Sequence, residues 1–434
     1  MEDRPAPWQR LLRLSVRAMM VGVLVLAGAL GWIVHRARVQ RQAVAAIQRS
    51  GGGVLYEWQL RPGGGLITGG EPKWPRWLVG WLGVDYFGHV GSVTLGKEAT
   101  DAEMEHVGRL PHLVHLGVSF DARRGVTDAG AAHLRGLVDL ESLSLSNTQV
   151  TGACLANLRG HTRLKSVRLT GTRVADADLA HLAGLASLEG LDLNSTPITD
   201  AGLAHLEGLT NLERLDLNST MVSDAGLAHL APLVKIKRLR LNDTRVTGPG
   251  LAHLRGMTRL GALLLSKSPV RDLSSLPPLP ALKLLYLHDT RVDDAQLSFV
   301  APLTALEEIS LNHTGVGDVG LLPLLGSKGS LKILNLNGTR VTDASAATLA
   351  QFEKLTSLLL DGTAVTDVTL DRLASLKGLR RLDVDQTGAT AAGFARLKRA
   401  IPGLRSLQEV VAANQARNAA PRAAAATEDA KSRP

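Results

Sequence analysis

The chain of 434 residues is 45% hydrophobic and carries a formal net charge of +9. The charge is concentrated at the amino terminus, because residues 1–50 hold eight arginines against two acidic residues, while residues 409–434 contribute only +1. The remaining residues 51–408 therefore carry +2, which is too balanced for the continuous basic stripe that nucleic-acid binding needs. The single cysteine, Cys154, excludes an intramolecular disulfide and a multi-thiolate metal site within one chain.

An uncharged apolar run near the amino terminus predicts a single transmembrane helix over residues 18–34, preceded by a basic segment, residues 1–17. A cleavable signal peptide is the alternative, because residues 27–29 resemble a cleavage site. The apolar run continues past that site to Val34, as in a retained anchor. Arginines flank the run on both sides and leave the orientation open. We expect the large domain outside the cytoplasm, since an amino-terminal anchor before a long passenger is a common export arrangement.

From Val90 onward the chain repeats a unit in which a threonine recurs every twenty-four residues, at Thr148, Thr172, Thr196, Thr220 and Thr244. Alternating leucines predict a short strand in each unit, and leucines at helical spacing predict a helix that packs back onto it. The Thr199-Asp200 type of pair opens the helical half and is typical of a helix N-cap. We expect the recurring threonine to bond loop backbone and to form a ladder along the stack. Residues 90–408 accommodate about thirteen such units, which can bury their leucines only by stacking.

The unit resembles the leucine-rich-repeat family, whose pattern L-x-x-L-x-L-x-x-N/C-x-L is matched from Leu188 to Ile198 with threonine in place of Asn or Cys. The second half of the unit is similar to ribonuclease-inhibitor-like repeats and to repeats of many bacterial membrane-anchored proteins. The resemblance implies an α/β fold, a right-handed solenoid or horseshoe with a parallel sheet on the concave side and helices on the convex side. It implies use in protein recognition but no particular ligand.

Residues 35–89 are predicted to form a linker and a tryptophan-rich cap. Four tryptophans lie just before the first repeat, at Trp58, Trp74, Trp77 and Trp81. The last three are spaced to share one face of a short helix that begins near Pro75. We expect them to cover the leucines of the first repeat, and the alternative is an aromatic belt at a membrane interface.

Two further segments depart from the repeat. The eighth unit contains Pro277, Pro278 and Pro280, too many prolines for a regular helix, and its length drops to twenty-two residues. A local bend or change of curvature is therefore predicted there. Residues 409–434 are alanine-rich with few large apolar side chains, which predicts a disordered tail.

No catalytic, cofactor or metal site is predicted. One group of histidines occupies the same helical position in successive repeats, at His133, His181, His205, His229 and His253. Helices pack about 8–10 Å apart, whereas imidazole ligands lie about 2 Å from one zinc ion, so neighbours in this stripe cannot share a metal. A second group, His106, His112 and His115 with Glu105, matches no motif. Serine, histidine and aspartate are spread by the repeat period instead of being gathered as a triad requires.

The middle residues of successive predicted strands form the candidate site. A scaffold tolerates almost any polar residue there, but neighbouring units mix charges with an exposed leucine and tyrosine, a composition that binding surfaces use. The candidate protein-binding residues are Arg168, Asp192, Asp216, Arg240, Leu264 and Tyr286. Ordinary surface residues are the alternative interpretation. The predicted function is that of a membrane-tethered scaffold for a protein partner, without enzyme activity, and a structural spacer or self-associating envelope component is the alternative.

Overall fold

A computed structural model describes residues 16–61, 65, 67, 70–118, 125–406 and 408–409. These residues form two compact units that divide between Leu164 and Lys165. The basic segment predicted at the amino terminus and the tail predicted at the carboxyl terminus lie almost wholly outside the described residues.

The first unit combines a short mixed sheet with a long amino-terminal helix. Its strands are β1 (Gly53–Tyr56), β2 (Val90–Leu95), β3 (His115–Val118) and β4 (Ser142–Ser144). The first two are antiparallel, whereas β2, β3 and β4 run parallel in chain order. Its α-helices are α1 (Val16–Arg49), α2 (Arg76–Leu82), α3 (Asp101–Val107), α4 (Asp128–Ala131) and α5 (Ala153–Ala156). Short 3-10 segments lie at Glu57–Gln59, Val84–Tyr86 and Ala132–Gly136.

The second unit is a parallel sheet whose strands pair in chain order. Its strands are β5 (Ser166–Arg168), β6 (Gly190–Asp192), β7 (Arg214–Asp216), β8 (Arg238–Arg240), β9 (Ala262–Leu264), β10 (Leu284–Tyr286), β11 (Glu308–Ser310), β12 (Ile333–Asn335), β13 (Ser357–Leu359), β14 (Arg381–Asp383) and β15 (Arg405–Ser406). Its α-helices are α6 (Asp200–Leu203), α7 (Asp294–Leu297), α8 (Ala346–Leu349), α9 (Asp367–Leu373) and α10 (Ala391–Ala400). Its 3-10 segments are Asp176–Leu182, Ala204–Leu206, Gly226–Leu230, Pro249–Gly256, Ser298–Val300, Val319–Ser327 and Asp343–Ser345.

The leucines of each repeat fill the space between the sheet and the helical segments. In the repeat that contains β6, the buried set is Leu188, Leu191, Leu193, Ile198, Leu203, Leu206 and Leu209. The last three are spaced by three residues, which matches the three residues per turn of a 3-10 helix better than the period of an α-helix. The helical side is accordingly built of 3-10 segments and short α-helices, whereas the sequence predicted a helix in each unit without its type. The predicted fold class, a leucine-rich-repeat solenoid with an open sheet, is confirmed.

The recurring threonine closes the loop at the end of its own strand. The Thr196 hydroxyl donates to the Leu193 carbonyl oxygen at 2.5 Å, and Thr148 and Thr244 make the same bond at 2.7 and 2.8 Å. The buried hydroxyl thus satisfies backbone, as predicted, but it mostly bonds within its own repeat. Among the bonds of the described residues, the Thr244 hydroxyl is the one that reaches the equivalent side chain of the next repeat, Ser268, at 3.1 Å.

A different residue links the repeats. Asp176 accepts hydrogen bonds from the backbone N–H of Thr199 at 2.8 Å and from its hydroxyl at 2.6 Å, one repeat further on. The Thr199 hydroxyl in turn accepts from the Ala201 N–H at 3.3 Å as the N-cap of α6. The same aspartate-to-threonine or -serine bonds recur at Asp101, Asp128, Asp200, Asp224, Asp318, Asp343 and Asp367. These aspartates therefore form an inter-repeat ladder. The sequence pattern predicts for them only a role at the helix N-cap within one repeat.

The second half of α1 packs on the first repeat. Ala37, Ala43 and Ile47 are buried, and Gln40 sits among them at helical spacing. The Gln40 amide donates to Asp85 Oδ1 at 3.1 Å and to the Gly88 carbonyl oxygen at 3.0 Å. The first half of the same helix is exposed, and in length and composition it suits a membrane span.

This packing corrects the predicted tryptophan cap. Trp77 and Trp81 are 73% and 78% exposed, and Trp74 is also exposed, so they do not cover the leucines of the first repeat. The physical reason is that the buried face of α1 already occupies that position. Trp58 alone among the four is half-buried, with its ring stacked on Tyr56 at 5.1 Å.

The proline-rich repeat lacks a helical segment. Residues 265–283, all of them described, contain no helix between β9 and β10. Proline removes a backbone donor and clashes with the preceding turn, which explains the loss. The predicted bend remains a prediction.

Candidate protein-binding surface

The six candidate residues form one row across adjacent strands of the second unit. The strand register places Arg168 opposite Asp192, Asp192 opposite Asp216, and Asp216 opposite Arg240. The same row continues through Leu264 to Tyr286. Since neighbouring strands lie about 4.8 Å apart, the row is roughly 24 Å long. The twenty-four-residue period thus brings together side chains that are far apart in sequence.

Two of the four charged residues in the row, Asp216 and Arg240, are paired with each other. Arg240 Nη1 donates to Asp216 Oδ2 at 2.8 Å, and the Asn218 N–H donates to Asp216 Oδ1 at 3.1 Å. Asp216 is only 7% exposed, which corrects the expectation that every middle residue is exposed. Its burial raises the pKa of this carboxyl group, although the hydrogen bonds from Arg240 and Asn218 oppose that rise. Asp192 is half-buried and accepts from the Thr170 hydroxyl at 2.8 Å.

The other half of the row is apolar and aromatic. Leu264 and Tyr286 are both half-buried, so each presents part of its side chain on the sheet face. The Tyr286 hydroxyl donates to Glu308 Oε1 at 2.5 Å. Burial, together with this bond and the charge of Glu308, raises the pKa of Tyr286 to about 12. The ring is therefore held in one orientation with its hydroxyl protonated at neutral pH.

The same surface contains arginines at the first position of the strands, which the sequence-based candidates do not include. Arg214 and Arg238 precede Asp216 and Arg240 by two residues and therefore lie on the same sheet face. Both are exposed. The signal was present in the alternation itself, because a strand shows every second side chain on one face. In each strand, the residues immediately before and after the buried leucine therefore both lie on the candidate binding face.

A small pocket lies in this surface beside Gly190. Gly190 stands where the neighbouring strands carry Ser166 and Arg214, and a Cβ added to it would lie 3.2 Å from Arg214 Nη2. The end of the Arg214 side chain therefore lies over Gly190, and both residues line a pocket of about 170 Å³. Its walls include four guanidinium groups and two carboxylates, from Arg168, Arg214, Arg238, Arg240, Asp192 and Asp216.

The arginines around the pocket retain capacity to bind. Within the part of the chain that the structure describes, Arg168 and Arg238 form no ion pair. Arg214 lies 3.8 Å from the half-buried Glu213, which is a long contact. Arg240 Nε is buried and has no hydrogen-bond partner among the described residues. The pocket therefore carries an excess of positive charge with unused donors.

Two of the histidines singled out by the sequence, one from each group, lie beside acidic residues. His229 Nδ1 lies 2.6 Å from Glu207 Oε1, and His112 Nδ1 lies 3.2 Å from Asp139 Oδ2. Among the described residues, no group of three or more histidine, cysteine, aspartate or glutamate side chains is placed to hold a metal ion.

No protein-family model matches the chain, and none of the curated proteins compared with it matches either. Among solved structures, an internalin from Listeria monocytogenes is 21% identical with a TM-score of 0.57, over 71% of this chain and 88% of its own. A leucine-rich-repeat protein from Leptospira interrogans is 19% identical with a TM-score of 0.51, over 70% of this chain and 80% of its own. At these identities the likeness shows the fold alone, which is that of a leucine-rich-repeat solenoid.

Proposed function

We propose that the chain is a membrane-tethered scaffold that binds a protein partner through the sheet-face row from Arg168 to Tyr286. The observation that carries the proposal is the alignment of six chemically mixed side chains on six adjacent strands. Binding surfaces combine aromatic and arginine side chains in this way, and energetically important contacts concentrate on such residues. No part of the proposal requires catalysis.

The chemistry of the row defines the partner as an acidic segment followed by an apolar one. The pocket at Gly190 offers exposed Arg168, Arg214 and Arg238, which are suited to a carboxylate because a guanidinium group can donate two parallel hydrogen bonds to it. About 24 Å separates the two ends of the row, which corresponds to about seven residues of extended chain. An apolar side chain of that segment would then rest against Leu264 and Tyr286.

Charge reversal tests the binding surface. Arg168→Glu combined with Arg238→Glu should abolish capture of partners by the full chain, since both arginines are exposed and neither has an ion pair to lose. The matched control is Arg135→Glu with Arg255→Glu, two exposed arginines in the last turns of 3-10 segments. Capture is measured by affinity purification from solubilised membranes with quantitative mass spectrometry. Equal loss in both variants, or no loss in the first, would remove the proposed site.

A second variant separates binding from self-association. Arg240→Glu with Tyr286→Ala should also abolish capture while the circular dichroism spectrum stays unchanged. Concentration-dependent oligomers that persist in this variant would favour a self-associating envelope component instead.

The membrane tether is the other half of the proposal. It is supported by α1, one uninterrupted helix whose first half is apolar and exposed and whose second half is packed on the repeats. Protease treatment of intact cells that express a carboxyl-tagged chain tests the orientation, with any outer membrane permeabilised first. Digestion from outside agrees with an extracytoplasmic repeat domain. Protection until full lysis would place that domain in the cytoplasm. Recovery of the chain with its first residues intact distinguishes a retained anchor from a cleaved signal peptide.

A further inference from the structure

Helix α2 exposes more aromatic surface than a soluble domain can easily explain. Trp74, Trp77 and Trp81 are all exposed, and Leu82 adds to the same apolar region. No residue of α2 is buried, so the helix gains little from packing on the protein. Helices this short are marginal in water without packing. The exposed face of α2 therefore needs a partner outside the described residues.

The position of α2 relative to α1 indicates which partner it is. The α1 residue Arg41 donates through Nη2 to the Leu82 carbonyl oxygen at 3.0 Å, at the carboxyl end of α2. Arg36 Nη2 donates to the Tyr86 carbonyl oxygen at 3.3 Å, in the turn that follows α2. Both contacts lie in the first two turns of α1 after its apolar run, which ends at Val34. The tryptophan helix is thus fixed beside the point where the run ends.

The length of α1 places the end of its apolar run at a bilayer surface. The 34 residues of α1 span about 51 Å, whereas the hydrocarbon core needs only about 30 Å. The helix therefore extends well beyond the core, and its buried half belongs to the protein. Arg36 and Arg41 lie two and seven residues after Val34, or about 3 Å and about 10 Å along the helix axis. The polar interfacial layer on each side of the core is about 5–8 Å thick. The two contacts of α1 with α2 and the turn after it therefore span this layer, from its inner part to just beyond its outer edge.

The chemistry of the surface matches an interfacial layer. Tryptophan is enriched at the membrane interface, where its ring is buried among acyl chains and its N–H reaches water or headgroups. Trp32 of α1 is itself exposed, with the Arg36 guanidinium group 5.5 Å from its ring centre. Lys73, which precedes Trp74 in the chain, and Arg38, four residues after Val34, are exposed cations that suit anionic headgroups.

We propose that the surface formed by Trp74, Trp77, Trp81 and Leu82 is inserted in the interfacial layer of the bilayer that α1 crosses. The inference rests on the proposed membrane tether and adds a second contact to it. Two contacts, one through α1 and one through α2, restrict how the first unit can tilt relative to the membrane surface, which a single spanning helix would leave free.

Spin labelling of the full chain in lipid vesicles tests the proposal. A label on Gly80→Cys reports on the surface without removing a tryptophan, because a Cβ there meets no atom within 4 Å. Leu24→Cys, on the exposed part of α1, reports on the span, and Val319→Cys, on an exposed apolar residue of the second unit, is the aqueous control. The buried thiol of Cys154 stays unlabelled in the folded chain. Collisions with oxygen and with a water-soluble nickel complex measure the depth of each label.

We expect the ratio of oxygen to nickel collisions at position 80 to exceed that at position 319 clearly and to stay below that at position 24. Trp77→Ser with Trp81→Ser should bring the ratio at position 80 down to that at position 319. The control Leu322→Ser should leave it unchanged. A lipid-like label at position 24 with a water-like label at position 80 would overturn the inference but keep the tether, and would leave the tryptophans for a protein partner. Water-like labels at both positions would overturn the tether and the inference together.

Discussion

The inter-repeat aspartate ladder should contribute several kcal/mol at each step, and Asp224 is the best place to measure it. Asp224 Oδ2 accepts from the Thr247 N–H at 2.9 Å and from its hydroxyl at 2.6 Å. Asp224 Oδ1 accepts from the N–H groups of Gly248 at 3.0 Å and Gly250 at 2.9 Å. Asp224→Ala leaves these four donors without their acceptor. Because the site is half-buried and water can replace part of the loss, we expect about 1 kcal/mol per bond, or about 3–4 kcal/mol in all.

The assay is urea unfolding of the detergent-solubilised full chain, followed by circular dichroism. Asp371→Ala is the matched control, because the Asp371 side chain is 61% exposed and forms a surface ion pair with Arg396. Such a pair contributes about 0–1 kcal/mol. A loss at Asp224 no larger than the loss at Asp371 would refute the ladder as an inter-repeat link.

The same carboxylate predicts a pH dependence. Burial alone would raise the pKa of Asp224, but its hydrogen bonds from Thr247, Gly250 and Gly248 outweigh burial and lower it. A lowered pKa means that the contribution is present above the unfolded value of about 3.9 and is lost as the pH falls through the folded pKa. The difference between the wild-type chain and Asp224→Ala should therefore shrink below about pH 4. A difference that stays constant down to pH 2 would contradict this account.

Three further outcomes follow from single contacts. Ile47→Ala should lower the free energy of unfolding by about 2–4 kcal/mol in the urea assay, since Ile47 is buried, whereas the exposed Leu24→Ala should leave it unchanged. Tyr286, with a pKa of about 12, should stay protonated at pH 10.5, so Tyr286→Phe should remove an absorbance step near pH 12 at 295 nm. Because this pKa is raised, the free energy of unfolding should fall as the pH rises above about 10. If Tyr286→Phe instead removed a step near pH 10, the result would contradict the bond to Glu308. Gly190→Leu should fill the pocket and reduce partner capture without unfolding, because only the flexible end of an arginine lies near its Cβ, and unchanged capture would show that the pocket is not used.

The repeat period was sufficient to predict the fold and the row. Leucines spaced by two and by three residues fix the strand and the helical side of each unit, and identical spacing of Asp192 and Asp216 places them on adjacent strands. The aspartate ladder could not be predicted in the same way. The N-cap and the inter-repeat bond use the same Thr-Asp pair, and only coordinates show that the threonine caps its own helix while the aspartate bonds the next repeat.

The burial of the second half of α1 on the first repeat could not be predicted from the sequence either. The apolar run to Val34 dominates the pattern and hides the smaller face of Ala37, Ala43 and Ile47 that packs on the first repeat. The tryptophans are predicted to form the cap because they lie just before the first repeat and three of them share one helical face. In the structure the small residues of α1 allow close approach and occupy the cap position.

The central claim, that the sheet-face row binds a protein partner, is tested most directly by site-specific photo-crosslinking in living cells. A photoreactive amino acid replaces Arg168, at the exposed rim of the pocket, or Arg135, on the helical side of the first unit, in the full chain. We predict a discrete crosslinked protein from position 168 that is absent from position 135 and disappears when Gly190→Leu is added. The same crosslinks from both positions, or crosslinks from position 135 alone, would contradict the claim.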